Sequence, residues 1–274
     1  MRKLKILHPR WTARFPELQW HGCTPATEVD LTRIHAAEYV GPILRGQHPN
    51  GLGAFDTEWL LWEIGVFVEA ARRAVASGQI VCGLAGGFHH AGYASGWGMC
   101  TFNGLALGAL VMLDADLPRV GIIDIDHHPG DGTQDIIDRL GTGRIEHYSF
   151  GMDRPSPAGA ERWLAGLGSI IEGMYARGVR AFIYYSGADV HIDDPLGGEL
   201  TTDQMLRRDR IVFDTCRRLE VPVAWCLAGG YQEPLERTLL LHDNTLIAAL
   251  GLSFGPEVLP RPEFCVLRSG APRG

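Results

Sequence analysis

Four short apolar runs constrain the fold of this chain more than any other feature: QIVCGLAG (79–86), RVGIIDID (119–126), VRAFIYYSGAD (179–189) and VPVAWCLAGG (221–230). Their hydrophobicity is nearly continuous rather than alternating, which suits strands covered on both faces. Helical patterns separate them, at 102–116, 161–178 and 203–220, with others at 56–78 and 233–252. A further strand is predicted at GRIEHYSF, 143–150. Strands joined by helices of this length imply an α/β fold, a mostly parallel sheet flanked by helices on both faces. With no internal repeat and no shift in composition, one domain over 1–274 is expected. The first 50 residues, rich in Pro, His and Arg, are expected to be irregular apart from a short helix at DLTRIHAAEYV (30–40). Asp30 would cap that helix by accepting exposed backbone N–H groups.

Polar groups gather where the apolar runs end. His89 and His90 follow the first; Asp124, Asp126 and His128 close the second; Asp189 closes the third; Tyr231 follows the fourth. In open α/β sheets ligands bind beyond the carboxyl ends of the strands. Four segments therefore deliver chemistry to one rim.

Asp126-x-His128 together with Asp189 offers two carboxylates and an imidazole. Zn²⁺ accepts that set and keeps a position open in catalytic sites; Fe²⁺, Mn²⁺ and Co²⁺ accept it as well. An isolated Asp-x-His is also common in structural loops, His127 is an alternative to His128, and Asp189 alone would serve as a turn cap. As a cluster, however, such groups are costly to desolvate unless paired or metal-bound. His89 and His90 then read as supporting or catalytic groups, or else as a buried structural pair. Asp124 and Asp131 are left without a ligand role. A carboxylate accepting from Nδ1–H would fix a tautomer and leave Nε2 facing a water. Tyr231, after Gly229 and Gly230, is a candidate hydroxyl donor to a developing oxyanion, or simply a packing residue.

A formal net charge of −7 and pI near 5.9 argue against nucleic-acid binding and suit a cationic substrate. Six cysteines (23, 82, 100, 216, 226 and 265) show no Cys-x-x-Cys spacing, so a reduced, cytoplasmic setting is expected. No secretory h-region follows Lys3 and Lys5, and NGLALGALVMLDADL is too short to span a bilayer, so no membrane role is expected.

GGFHHA, GMCTFN, DIDHHPGDGTQ, SGADVHIDDPLG and LAGGY occur in one order, and the sequence here resembles the histone deacetylase and acetylpolyamine amidohydrolase family, which shares its fold with arginase. The resemblance is strongest over 80–250 and fainter at IHAAEYV and GLGAFDTEWLLWEIG; LAGGYQEPLERTL is closer to the class II, class IV-like and bacterial branches. It implies one Zn²⁺ per chain held by Asp126, His128 and Asp189, with Fe²⁺ as the alternative metal. It also implies His90 as general base and acid oriented by Asp131, His89 paired with Asp124 beside it, and Tyr231 polarising the scissile carbonyl. A structural K⁺ or Na⁺ near Asp124, Asp126, His128 and Ser149–Phe150 belongs to the same pattern. Gly98 and Met99 would border the substrate channel, although the family has an aromatic wall where Met99 stands. The substrate implied is an acetylated small amine or acetyl-lysine, and the protein a monomer or homodimer. Two other readings are an arginase- or agmatinase-like ureohydrolase with two metals and a non-catalytic binding module. The first requires a carboxylate where His191 stands; a binding module need keep neither histidine nor Tyr231.

Overall fold

The computed structural model describes residues 2–47, 57–252 and the backbone of 263–266. The N-terminal part holds α1 (Arg2–Arg14), β1 (Gln19–Gly22), α2 (Glu28–Leu31), α3 (Ala37–Leu44), α4 (Thr57–Ser77) and β2 (Ile80–Gly83). The middle holds α5 (Gly104–Leu113), β3 (Arg119–Ile125), α6 (Asp131–Leu140), β4 (Ile145–Ser149), α7 (Ala160–Ala176) and β5 (Val179–Ser186). Then come α8 (Thr202–Arg218), β6 (Val223–Leu227), α9 (Glu236–Ala249) and β7 (Glu263–Val266).

The described strands form one parallel sheet in the order β1-β7-β2-β6-β5-β3-β4. Side chains alternate across it as the pleat requires. Along β5, Ala181, Ile183 and Tyr185 join a core with α3, α4 and α5, whereas Phe182 and Tyr184 join a core with α1, α7, α8 and α9. Both faces are dry, which is why these strands read as continuous apolar runs. Each large apolar side chain so buried contributes about 1.5–3 kcal/mol.

The N-terminal region departs from the expectation of irregular structure. Pro9 lies inside α1, where a helix ordinarily loses about 3 kcal/mol. Docking offsets this: Leu7 and Trp11, four residues apart on one face, are fully buried, and Trp11 Nε1 donates to Asp243 Oδ1 at 2.7 Å. The helix expected over 30–40 is broken. Thr27, not Asp30, is the N-cap of α2, and Asp30 closes the box by accepting from the Thr27 N–H. α6, the edge strand β1 and β7, which lies between β1 and β2, are further additions. The expectation for GLGAFD lies at 51–56, outside the described residues. Among the described residues, no helix is long and apolar enough to cross a membrane.

Candidate metal and catalytic centre

β2, β6, β5 and β3 are adjacent in the sheet, so the residues that follow them converge. Asp126 leaves β3 buried, with Oδ1 accepting from the His128 N–H at 3.0 Å and Oδ2 from the Gly229 N–H at 2.9 Å. Asp189, fully buried after β5, accepts from the His127 N–H through Oδ1 at 3.1 Å. His128 Nδ1 lies 3.1 Å from Asp126 Oδ1 and 3.1 Å from Asp189 Oδ2. Ligand atoms of Asp126, His128 and Asp189 all fall within 4.8 Å of one another. Gly229 makes this approach possible, since a Cβ there would sit 2.1 Å from Asp189 Oδ2.

The ionisation of the cluster shows how much positive charge it calls for. Hydrogen bonds to Asp126 and Asp189 push His128 up to about 10. Burial and the charge of Asp126 raise Asp189 to about 7. Burial would raise Asp126 too, but His89 and His128 outweigh it and hold Asp126 well below the ordinary carboxylate range. Two buried carboxylates and an imidazole, with ligand atoms within 4.8 Å of one another, fit a divalent cation with N/O preference. His127 does not join them; its Nδ1 faces Glu199 at 3.0 Å, and this separates the two histidines left open by the sequence.

His89 and His90 follow β2, their backbone pinned by the Thr133 N–H of α6, which donates to the His89 carbonyl at 2.9 Å. His89 Nδ1 meets Asp124 Oδ2 at 2.9 Å and His90 Nδ1 meets Asp131 Oδ1 at 2.7 Å. Burial works against protonation of both. For His89 the nearby Asp124 and Asp126 prevail and raise it to about 9; His90 stays below the usual histidine value, with the charge of His89 adding to burial. Asp124 is fully buried and the Asp131 side chain is about half exposed, so the two pairs differ in their contact with solvent. Tyr231 is half-buried, and burial with the charges of Asp126 and Asp189 lifts its hydroxyl well above the usual tyrosine value, which keeps it a donor.

Five of these groups, Tyr231 among them, line one cavity of about 510 Å³. His89, His90, Asp126 and His128 contribute to its wall, and Gly98 and Met99 border it as the resemblance implies. Three contributors were not legible in the sequence. Trp97 lies against His90. Glu63 of α4 lines the cavity with its carboxyl raised by burial to about 7. Lys3 of α1 donates to the Ala228 carbonyl at 2.7 Å, and burial lowers its amine against the pull of Asp189, Asp126 and Asp194. No spacing rule links Lys3 to Ala228, 225 residues away.

The described strands form an all-parallel α/β sheet with a candidate carboxylate–histidine metal cluster and two His–Asp pairs at its carboxyl rim. A family model of the histone deacetylase domain matches residues 3–142, and the chain belongs to the histone deacetylase and acetylpolyamine amidohydrolase family. It is 28% identical to a probable deacetylase of Archaeoglobus fulgidus, over 85% of this chain and 74% of that one. Against acetylpolyamine amidohydrolase 1 of Pseudomonas aeruginosa it is 28% identical over 60% of this chain and 53% of the relative. The crystal structure of an acetylpolyamine aminohydrolase from Burkholderia pseudomallei superposes with a TM-score of 0.70 over 90% of each chain, at 16% identity, and shares the arginase-deacetylase fold.

Proposed function

We propose that this chain is a metal-dependent amidohydrolase that removes an acetyl or other small acyl group from an N-acylated amine. One observation carries the reading. Asp126 and His128 of the three-residue cluster, the histidines of both His–Asp pairs and Tyr231 line a single cavity, and a binding module has no need of proton carriers beside a metal cluster. Zn²⁺ is the proposed ion, with Fe²⁺ compatible with the same donors. Bound there, it would polarise the amide carbonyl and acidify a water.

The protein groups supply positioning and proton transfer. His90, neutral and held through Nδ1 by Asp131, takes the proton of the attacking water at Nε2 and returns it to the departing amine. His89, held by Asp124, adds positive charge beside the reacting centre. The Tyr231 hydroxyl donates to the carbonyl oxygen as it gains charge. A monovalent cation beside Asp124 belongs to the same reading: Asp124 Oδ1 is buried and accepts no hydrogen bond among the described residues.

A ureohydrolase would need a second metal 3.5–4 Å from the first, by the usual two-metal geometry. Both His191 ring nitrogens are already engaged, Nε2 with Thr202 Oγ1 at 2.9 Å and Nδ1 with the Asp193 N–H at 3.0 Å, which favours the one-metal reading.

Metal analysis of the purified protein with turnover of a panel of acetylated polyamines, acetyl-lysine peptides and small acetamides tests the proposal. One equivalent of metal and release of acetate are expected. A folded, metal-loaded protein inert towards the whole panel would overturn it.

A further inference from the structure

His90 is the group the proposed reaction asks most of, and a single hydrogen bond to Asp131 covers neither face of its ring. The imidazole rotates about a broad sp³–sp² torsion. Its partner carboxylate is about half exposed, whereas the one holding His89 is sealed in the core. A second set of contacts closes this gap. The Trp97 ring stacks on His90 at a centroid distance of 3.7 Å and an interplanar angle of 29°. Its Nε1–H donates to Asp131 Oδ2 at 3.2 Å, on the same carboxylate whose Oδ1 holds His90 Nδ1 at 2.7 Å. One indole thus covers the imidazole face and fixes the plane of the carboxylate behind it.

The backbone that presents this indole is built for close approach. The Cys100 N–H donates to the Trp97 carbonyl at 2.9 Å, closing a four-residue turn whose central residues, Gly98 and Met99, have φ of +57° and +66°. Two left-handed central residues define a type I′ geometry, which methionine adopts only at a cost. Gly98 is packed so tightly that a Cβ would lie 2.8 Å from His90 Cδ2. The turn therefore meets His90 on its edge while the indole meets it on its face. Met99, with its positive φ, directly follows the glycine that packs on His90, and its own side chain is about half exposed.

We propose that the Trp97–Cys100 turn is a clamp, and that Trp97 is a positioning residue whose stack on His90 and hydrogen bond to Asp131 hold the imidazole in its proton-transfer orientation. This rests on the amidohydrolase reading for its consequence in turnover, though not for its geometry. Trp97 also borders the cavity, so a simple wall for substrate is the competing role. A wall would act on substrate binding; a clamp acts on the chemical step, where small errors in orientation are costly.

Trp97→Ala and Trp97→Phe, each metal-loaded, separate the two. Because the indole is about half exposed, both variants are expected to fold, with thermal midpoints near that of the parent. For Trp97→Ala, kcat is expected to fall on the order of tenfold or more with KM changing far less, and Trp97→Phe, which keeps a ring over His90, should recover most of the loss. Independently of any substrate, the downfield proton resonance of His90 Nδ1–H, assigned by its loss in His90→Gln, should persist in the parent and Trp97→Phe and broaden or vanish in Trp97→Ala. An unchanged kcat in Trp97→Ala, a loss confined to KM, no recovery in Trp97→Phe, or a retained resonance in Trp97→Ala would each overturn the clamp. Should the parent turn over no amide, the amidohydrolase reading fails and the resonance alone decides the clamp.

Discussion

His35, outside the proposed site, ties the turn after His90 to the start of α5. It is buried, its Nδ1 lies 2.8 Å from the Gly92 carbonyl, and its Nε2 accepts from the Asn103 N–H at 3.0 Å. Donating from one nitrogen and accepting at the other, the ring must be neutral, and burial lowers it to about 4 despite the bond to Gly92. The unfolded chain takes up a proton near 6.5 while the folded one does not, so stability falls as pH drops from about 6.5 to about 4, by up to about 3 kcal/mol. Urea unfolding across that range should show a slope that His35→Gln flattens by one proton. His90 gives a second prediction. Its depressed imidazole stays neutral to lower pH than an ordinary histidine, so the acid limb of kcat/KM should lie below pH 6.5. His90→Ala should lower kcat by about 10²–10⁴-fold, read from the same pH–rate profiles. The histidine pair was legible in the sequence, and so were the carboxylates that serve it. Trp97 was not, because stacking leaves no spacing signal.

Among the elements, α5 is tied most directly to the site through its cap. Asn103, fully buried, accepts from the Ala106 N–H at 2.9 Å, and its amide donates to the Ala91 carbonyl and to Thr133 Oγ1 at 2.9 and 3.0 Å. One side chain starts α5, holds the turn after His90 and anchors α6. Asn103→Ala removes the cap and strands buried partners, which should cost about 3 kcal/mol in urea unfolding. Asn103→Asp keeps the acceptor for the Ala106 N–H and should lose less than Asn103→Ala in the same urea unfolding. The long helices and buried strands were legible because their hydrophobic patterns are strong. α1 was hidden by Pro9 and by a polar composition, its stability coming from docking of Leu7 and Trp11 rather than from local preference. α6 was hidden behind a glycine-rich start whose packing against the His89 carbonyl only the folded chain reveals.

For the whole molecule, the concentration of negative charge at the centre of the sheet has a thermodynamic consequence. Asp126 and Asp189 are 2% and 0% exposed, and a cation between them and His128 would relieve the repulsion that raises Asp189. Metal held by the native state alone, at a hundredfold excess over its dissociation constant, stabilises by about 2.7 kcal/mol. Chelation should therefore lower the thermal midpoint by about 5–10 °C and re-addition of Zn²⁺ should restore it, as calorimetry would measure; Asp189→Asn should abolish that response.

By itself the sequence determined the parallel α/β character, because strands dry on both faces must read as continuous apolar runs. It also singled out the proposed ligands Asp126, His128 and Asp189 and the two histidines 89 and 90, because polar groups that close buried strands gather at one rim. The tertiary structure alone decided which strands are neighbours: β2, β6, β5 and β3 lie side by side although the chain visits them in another order. It alone turned His128 towards the carboxylates and His127 away, and brought Lys3, Glu63 and Trp97 to the same cavity. Local patterns record the burial of each segment. Which distant segments meet depends on packing across the sheet, and no short stretch of sequence carries that information.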